Sequence, residues 1–320
     1  MNNRSHHTRH LLAALTLALG FAALPAHAQV AASAHNPVKG AIDFHVHTAP
    51  DISARNLTDL DLARIGERYE MRAIVLKNHV TMTADRAAQI NPMAPGIEVY
   101  GGIVLNKAVG GINADAVRAM AKMSGARGKV VWFPTFDSDH HRKNFGNKPG
   151  GLRVLKNGKL TTDAEAVLAA IKDHDLILET GHLSPEEVLA LVARAHEIGI
   201  DKIVVTHAMS QVPGLSLDQM KTLAGQGAYL ELVYLDHLRT PHAHLEWLKE
   251  WRPLSIAQMA EAVKAIGAEH FIMASDLGQT GNPVHPDGMV GMVEGMLAEG
   301  IAQADVDKMV RDNPAGLLGL

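Results

Sequence analysis

The chain has 320 residues, of which 47% are hydrophobic, and its formal net charge is −4. This length suits an α/β barrel of about 250 residues with extensions. The small negative charge provides no basic surface for nucleic acid, so we expect a small-molecule partner. Cysteine is absent, which excludes disulfides, thiolate ligands and cysteine nucleophiles. The sequence leaves open whether the protein forms a homo-oligomer.

The first 28 residues show the three parts of a secretory signal peptide. Arg4 and Arg9 precede the apolar run Leu11–Leu24, which is too short to span a bilayer, and Ala26-His27-Ala28 is a cleavage motif. We therefore expect residues 1–28 to be removed and residues 29–39 to form a linker. The mature protein is then expected in a periplasm or outside the cell, without a membrane anchor.

From residue 40 onward, short apolar runs rich in β-branched residues alternate with amphipathic segments typical of helices. The predicted strands are Ala41–His47, Ala73–His79, Glu98–Leu105, Lys129–Phe136, Asp175–Glu179, Lys202–His207, Ala228–Leu235 and Phe271–Asp276. The predicted helices are Leu57–Tyr69, Thr83–Ile90, Ala114–Met123, Ala164–Lys172, Pro185–Ile198, Leu217–Ala224, Ile256–Ile266 and Met289–Glu299.

Eight β-then-α units predict a parallel sheet with helices outside it. No glycine-rich phosphate loop follows the first strand, which favours a closed barrel over an open dinucleotide-binding sheet. The predicted fold is therefore a single (β/α)8 TIM barrel over residues 40–320. Two long connections, Asp137–Leu160 with a hairpin at Asn157-Gly158 and Asp236–Leu254, follow the fourth and seventh strands and are candidate lids.

Histidine and aspartate residues stand at the carboxyl ends of the predicted strands. His45 and His47 are two apart on the first strand, so their side chains share a face and can converge on one ion. His182 follows the fifth strand, His207 ends the sixth and Asp276 ends the eighth. Strand ends of a parallel barrel meet at one rim, and this set therefore predicts a metal site there.

This ordered set resembles the amidohydrolase superfamily of metal-dependent hydrolases, in an uncharacterised branch. The resemblance covers nearly everything after residue 40 and includes the segments Val75–His79, Thr180–Ser184, Ser275–Gln279 and the tail Asn313–Leu320. It implies one or two divalent ions, with zinc expected. By similarity, His45, His47 and Asp276 would bind the more buried metal, while His182 and His207 would bind a second one or orient substrate. Asp276, with His207, would be catalytic, Asp276 taking a proton from metal-activated water.

The sequence departs from this pattern on the fourth strand, which offers no bridging lysine or glutamate. Lys77 and Glu179 are the alternative bridging candidates, and His79 shares the face of Lys77 on the second strand. A buried Lys77 paired with a carboxylate is an equally weighted interpretation. The number of metals is therefore left open.

Further candidates follow from position alone. Residues predicted to contact substrate from the rim and its loops are His140, Arg142, Arg239, Gln279 and His285. The leading functional hypothesis is hydrolysis of an amide, lactone, ester or phosphoester. The alternatives are a mononuclear metal-dependent decarboxylase or hydratase of the same superfamily, and a non-catalytic exported metal-binding protein.

Overall fold

A computed structural model describes residues 36–146, 148–238, 249 and 252–320. The strands are β1 (Ile42–Val46), β2 (Ala73–Leu76), β3 (Glu98–Val104), β4 (Gly128–Trp132), β5 (Leu155–Lys156), β6 (Lys159–Leu160), β7 (Ile177–Glu179), β8 (Ile203–Val205), β9 (Tyr229–Val233) and β10 (Phe271–Ala274). The central sheet is parallel, and its strands follow one another in the order β1-β2-β3-β4-β7-β8-β9-β10.

The barrel closes between its first and last strands. The N–H of Asp276 donates to the carbonyl oxygen of His45 at 2.9 Å, and the N–H of His47 donates to that of Leu277 at 2.9 Å. All eight strands predicted from apolar runs are present, which confirms the (β/α)8 barrel. Closure brings residues near 45 and 276 together at the carboxyl rim.

Helices follow the barrel strands and cover the outside of the sheet. The described helices are α1 (Asp59–Arg68), α2 (Ala84–Ile90), α3 (Ala114–Ala121), α4 (Asp139–Phe145), α5 (Thr162–Asp173), α6 (Pro185–Glu197), α7 (Leu217–Gly225), α8 (Tyr234–Leu238), α9 (Ile256–Ile266), α10 (His285–Ala298), α11 (Gln303–Asp307) and α12 (Asn313–Leu318), with a π-turn at Lys308–Asp312. No helix among the described residues is long and apolar enough to cross a bilayer.

Local sequence explains where several of these elements begin. Ser184 caps α6 by accepting the N–H of Glu187, and Pro185 occupies the first turn, where its missing N–H costs nothing. The predicted hairpin is confirmed: β5 and β6 pair antiparallel across Asn157 and Gly158, whose φ angles of 54° and 73° fit a two-residue turn of type I′.

Several strands end earlier than predicted. The fourth is predicted to reach Phe136, whereas β4 ends at Trp132, two residues before Pro134, which has no N–H to donate to a neighbouring strand. The sixth and eighth predicted strands end at His207 and Asp276, but both residues have left-handed φ angles of 51° and 52°. That conformation cannot continue a strand and turns these two side chains toward the rim.

Alternation along β2 shows how the sheet separates core from site. Ile74 and Leu76 pack in the outer core between the sheet and the helices. Ala73 and Val75 belong to a second cluster with Trp132 of β4. Lys77 lies on the same face of the strand as Ala73 and Val75, and it lines a cavity at the rim of the barrel. The same strand therefore supplies apolar packing below and polar side chains above.

Candidate metal centre

The two histidines of β1 are held by their Nδ1 atoms. Nδ1 of His45 lies 3.1 Å from Oε1 and 3.3 Å from Oε2 of Glu231, and Nδ1 of His47 lies 3.1 Å from the carbonyl oxygen of Lys77. Carboxylate and carbonyl oxygens only accept hydrogen bonds, so each Nδ1 carries the proton that it donates. In the neutral rings, the Nε2 atoms therefore present lone pairs, as metal-ligating histidines do.

Both Nε2 atoms face Asp276. Its Oδ1 lies 3.1 Å from Nε2 of His45 and 3.0 Å from Nε2 of His47. Two nitrogen lone pairs and a carboxylate oxygen at these distances repel one another unless a cation or a proton lies among them. Burial opposes ionisation of Asp276, but the positive charges that His45 and His207 carry when protonated hold its pKa well below its usual range. The arrangement is therefore a set of acceptors suited to a cation.

His207 completes the cluster from the end of β8. Its Nδ1 lies 3.6 Å from Oδ2 of Asp276, and its backbone N–H donates to Oε2 of Glu231 at 3.1 Å. Ligand atoms of His45, His207 and Asp276 lie within 4.8 Å of one another, and no other group of three His, Asp or Glu residues in the described part of the chain does so. A left-handed backbone at both His207 and Asp276 is the kind of strain that functional sites retain.

The electrostatics of the cluster favour a bound cation. Burial lowers the pKa of His45, but Asp276 and Glu231 outweigh it and raise that pKa to about 9. The two carboxylates that stabilise a proton on His45 would equally stabilise a metal ion in its place. Burial and the Arg55 charge hold the pKa of His47 well below its usual range, so this ring is neutral and free to ligate. The donor set of imidazoles and one carboxylate suits zinc or a similar divalent ion.

His182 lies beside this cluster. Its ring centroid is 5.5 Å from that of His207, and its Nδ1 lies 3.1 Å from Nδ1 of His141. Burial and the neighbouring His141 and His207 hold the pKa of His182 well below its usual range. His182 thus remains a predicted ligand or substrate-orienting group adjacent to the three-residue cluster.

The predicted bridging residues are all buried near the same rim. Nζ of Lys77 has no hydrogen-bond partner among the described residues and lies 5.3 Å from the centre of the Trp132 ring. Oε2 of Glu179 accepts the hydroxyl of Thr206 at 2.7 Å, and burial together with Glu231 raises the pKa of Glu179 to about 8. Nδ1 of His79 lies 2.9 Å from the hydroxyl of Thr135. Lys77 and His79 line the cavity.

The residues predicted to contact substrate fall in different places. Gln279 lines the cavity and donates to the carbonyl oxygen of Asp276 at 2.8 Å. His285 begins α10 and lies behind the rim, with its Nε2 3.0 Å from the carbonyl oxygen of His47. Arg239 lies outside the described residues.

The segment carrying His140 and Arg142 lies in the long connection Asp137–Leu160 that follows the fourth strand. It forms α4, and the helical period buries His141 against His182 while His140 lines a separate groove. Nε2 of His140 lies 2.6 Å from the carbonyl oxygen of Val212. Arg142 lies 3.5 Å from the carboxylate of Asp137 and donates to the carbonyl of Pro149. Both side chains are therefore held away from the cluster.

Two functional candidates escaped the sequence prediction. Glu231 is fully buried in β9 and contacts both His45 and His207. Its position as a charged residue inside the otherwise apolar run Tyr229–Val233 is the sequence feature that could have indicated a functional role. Arg55 follows β1 and lines the cavity, with its guanidinium paired to Asp51 at 2.7 Å. Its position in a turn-rich segment gave no pattern to read.

The cavity is continuous with the cluster. Besides the ligand candidates, its wall includes apolar side chains and several donors. The lining residues are His45, His47, Ser53, Ala54, Arg55, Lys77, His79, Phe136, His182, His207, Leu235, Asp276 and Gln279.

The sequence of residues 40–231 matches the family described as "Family of unknown function (DUF6282)". Among curated proteins, no sequence matches this chain significantly.

Solved structures resemble the fold over most of its length. An amidohydrolase from Pseudomonas aeruginosa superposes with a TM-score of 0.54 at 10% identity, covering 88% of this chain and 96% of the other. An organophosphorus hydrolase from Deinococcus radiodurans gives 0.54 at 11% identity, with coverages of 88% and 93%. A 2,6-dihydroxybenzoate decarboxylase from Rhizobium gives 0.52 at 12% identity, with coverages of 88% and 99%. These likenesses support the barrel fold of this chain.

Proposed function

The chain belongs to the family of unknown function DUF6282, and from its site we propose that it is an exported, metal-dependent hydrolase. Its substrate would be an amide, lactone, ester or phosphoester of a small molecule. One observation carries the proposal: the Nε2 atoms of His45 and His47 both lie within 3.1 Å of Oδ1 of Asp276 while their Nδ1 atoms face fixed acceptors.

His45, His47, His207 and Asp276 would hold a divalent ion, with zinc proposed. When bound, such an ion lowers the pKa of a coordinated water and polarises a carbonyl or phosphoryl oxygen. Glu231 fixes the Nδ1–H tautomer of His45 and restrains the backbone of His207 at the same time. Asp276 would accept the proton of the attacking water, because it stays ionised in a buried site.

The test has two stages. Elemental analysis of the purified protein should find about one equivalent of a divalent metal, and a panel of lactones, amides, esters and phosphoesters should reveal metal-dependent turnover. Replacement of His45 by Asn should remove the metal, whereas His196→Asn, at an exposed position on α6, should not. A protein that binds no metal and hydrolyses nothing in the panel would refute the proposal.

A second candidate is a metal-dependent decarboxylase or hydratase. Its support is that the described residues hold one cluster of three ligands, and that the segment after β4 supplies no carboxylate or lysine to that cluster. Carboxylic acids should therefore be included in the panel, with release of CO2 as the readout. Turnover of these acids without hydrolysis of any ester or amide would favour this alternative.

A further inference from the structure

The wall of the cavity formed by the end of β2 carries hydrogen-bond donors without acceptors. Lys77 and His79 are two residues apart, so their side chains share a face, and both line the cavity next to the metal-ligand candidates. Lys77 is 1% exposed and its Nζ has no hydrogen-bond partner among the described residues. The carboxylates of Glu179, Asp276 and Glu231 attract this amine without accepting a hydrogen bond from it, so a ligand that offers an acceptor would gain a buried hydrogen bond here.

The tautomer of His79 is set by Asn106 through Thr135. Oδ1 of Asn106 accepts the backbone N–H of Thr135 at 2.9 Å and that of Asp137 at 3.3 Å. Its Nδ2 therefore donates, to the carbonyl oxygen of His79 at 3.1 Å and to Oγ1 of Thr135 at 2.7 Å. These four contacts fix the orientation of the amide.

Because Thr135 already accepts from Asn106, its own hydroxyl hydrogen needs an acceptor. Among the described residues, the acceptor within reach is Nδ1 of His79, at 2.9 Å. The hydroxyl therefore donates to Nδ1, and the neutral ring of His79 carries its proton on Nε2. Nε2 has no partner among the described residues, and the ring lies between Phe136 and His47 at centroid distances of 4.0 and 4.9 Å.

From this geometry we infer that Lys77 and His79 form a carboxylate-binding subsite, so that the substrate carries a carboxylate beside its reacting group. This inference rests on the proposed function and names its substrate class. The amine of Lys77 donates in either protonation state, and Nε2–H of His79 is a neutral donor. A carboxylate offers two acceptor oxygens to these two donors.

A phosphate fits this wall less well. Phosphate sites usually present bidentate arginines or a helix N-terminus. The one guanidinium among the residues that line the described cavity, that of Arg55, is already held by Asp51 through contacts of 2.7 and 2.8 Å. A single amine and a neutral imidazole match the one negative charge of a carboxylate better than the two of a phosphate.

The subsite can be tested by binding, without turnover. Acetate, succinate, glutarate and benzoate would be titrated calorimetrically into the protein, both as purified and after removal of metal with a chelator, alongside their amides and inorganic phosphate. At least one carboxylate should bind in both preparations while its amide does not. Lys77→Met and His79→Phe should each weaken binding by about tenfold or more, as expected for loss of a charge-assisted or buried hydrogen bond.

Lys122→Met, at an exposed position after α3, should leave carboxylate binding unchanged. The subsite would be overturned if no carboxylate binds, if an amide or phosphate binds as well, or if both cavity variants bind like the unaltered protein. Carboxylate binding is measured in the metal-free protein and does not depend on metal or turnover. Its failure is therefore distinguishable from failure of the proposed metal-dependent hydrolysis.

A spectroscopic measurement tests the donor assignment itself, including the case in which His79→Phe does not fold. In 15N NMR spectra, His79 should show a protonated Nε2 and an unprotonated Nδ1. Thr135→Val removes the hydroxyl at nearly constant volume and should allow the Nδ1–H tautomer to appear, with weaker carboxylate binding. A native His79 protonated at Nδ1 would overturn the inference.

Discussion

Glu231 lies 3.1 Å from Nδ1 of His45, although 186 residues separate the two in sequence. The second oxygen of the same carboxylate accepts the backbone N–H of His207 at 3.1 Å. One fully buried side chain of β9 therefore orients a ligand candidate from β1 and another that follows β8. Such outer contacts fix imidazole orientation and raise its basicity toward a metal.

Replacing Glu231 with Gln should therefore weaken metal binding. An amide has only one acceptor atom, so either His45 Nδ1–H or His207 N–H would face an N–H group, and the negative charge is lost as well. We expect the affinity for the bound metal to fall by about 10- to 100-fold. Competition with a chromophoric chelator would measure the change. Glu261→Gln, at an exposed position on α9, is the matched control, and equal affinities in both variants would contradict the role given to Glu231.

Asp276 offers a way to separate chemistry from backbone strain. Its φ of 52° is tolerated by Asn better than by Ala, because the short amide hydrogen-bonds locally in the left-handed region. Asp276→Asn should reduce kcat/KM by about a thousandfold or more through loss of a ligand and proton acceptor. Asp276→Ala should lose activity similarly and also unfold more easily, by about 1 kcal/mol relative to the Asn variant.

Urea unfolding of the metal-free variants measures the stability difference between Asp276→Asn and Asp276→Ala. Turnover assays measure the loss of kcat/KM. Asp173→Asn, at the exposed end of α5, should change neither quantity. Retained activity in Asp276→Asn would exclude this carboxylate as a catalytic group.

The fold was predictable because its strands are buried runs of apolar residues separated by amphipathic helices. The ends of the strands were not predictable. His207 and Asp276 end their strands with left-handed φ angles, and residue type alone does not predict that conformation. Alternation was enough to pair His45 with His47 on one face. It could not show which strand places an acid behind His45, because that contact depends on the closed order of the whole barrel.

The positions of His140 and Arg142 depend on local structure that composition does not reveal. The charged run around His140 and Arg142 has the polarity of a loop, but Ser138 caps a helix there by accepting the N–H of His141 at 3.0 Å. Helical spacing then directs His141, and not its neighbours, toward His182. A segment predicted as a loop gives no expectation of which side chains point toward the site.

Gly278 is required by close packing over the β1 rim. A Cβ atom there would lie 1.8 Å from the carbonyl oxygen of His47, and the residue has a φ of 126°. Gly278→Ala should therefore cost about 3 kcal/mol or more in unfolding free energy and displace His47, weakening metal binding. Gly316→Ala is the contrasting variant, because a Cβ in this position of α12 meets no atom within 4 Å. It should stabilise by about 0.5–1 kcal/mol. Equal stabilities of the two variants would refute the packing argument.

The hydroxyl of Tyr69 donates to Oδ1 of Asp287 at 2.5 Å and so links the end of α1 to α10, the helix that begins with His285 beneath the rim. Partial burial and Asp287 raise the pKa of Tyr69 to about 12, above the usual tyrosine value of 10.0. The folded state thus holds the phenol proton more tightly than the unfolded chain does. The stability from this contact is fully present below pH 10 and is lost as the pH rises through 12.

Absorbance of the phenolate at alkaline pH should therefore show a late-titrating tyrosine that is missing in Tyr69→Phe. In Asp287→Asn its pKa should fall toward 10, because the repelling carboxylate is gone. The unfolding free energy of the native protein should decline between pH 10 and 12 more steeply than that of Tyr69→Phe. Parallel declines in the two proteins would show that this contact does not couple α1 to α10 energetically.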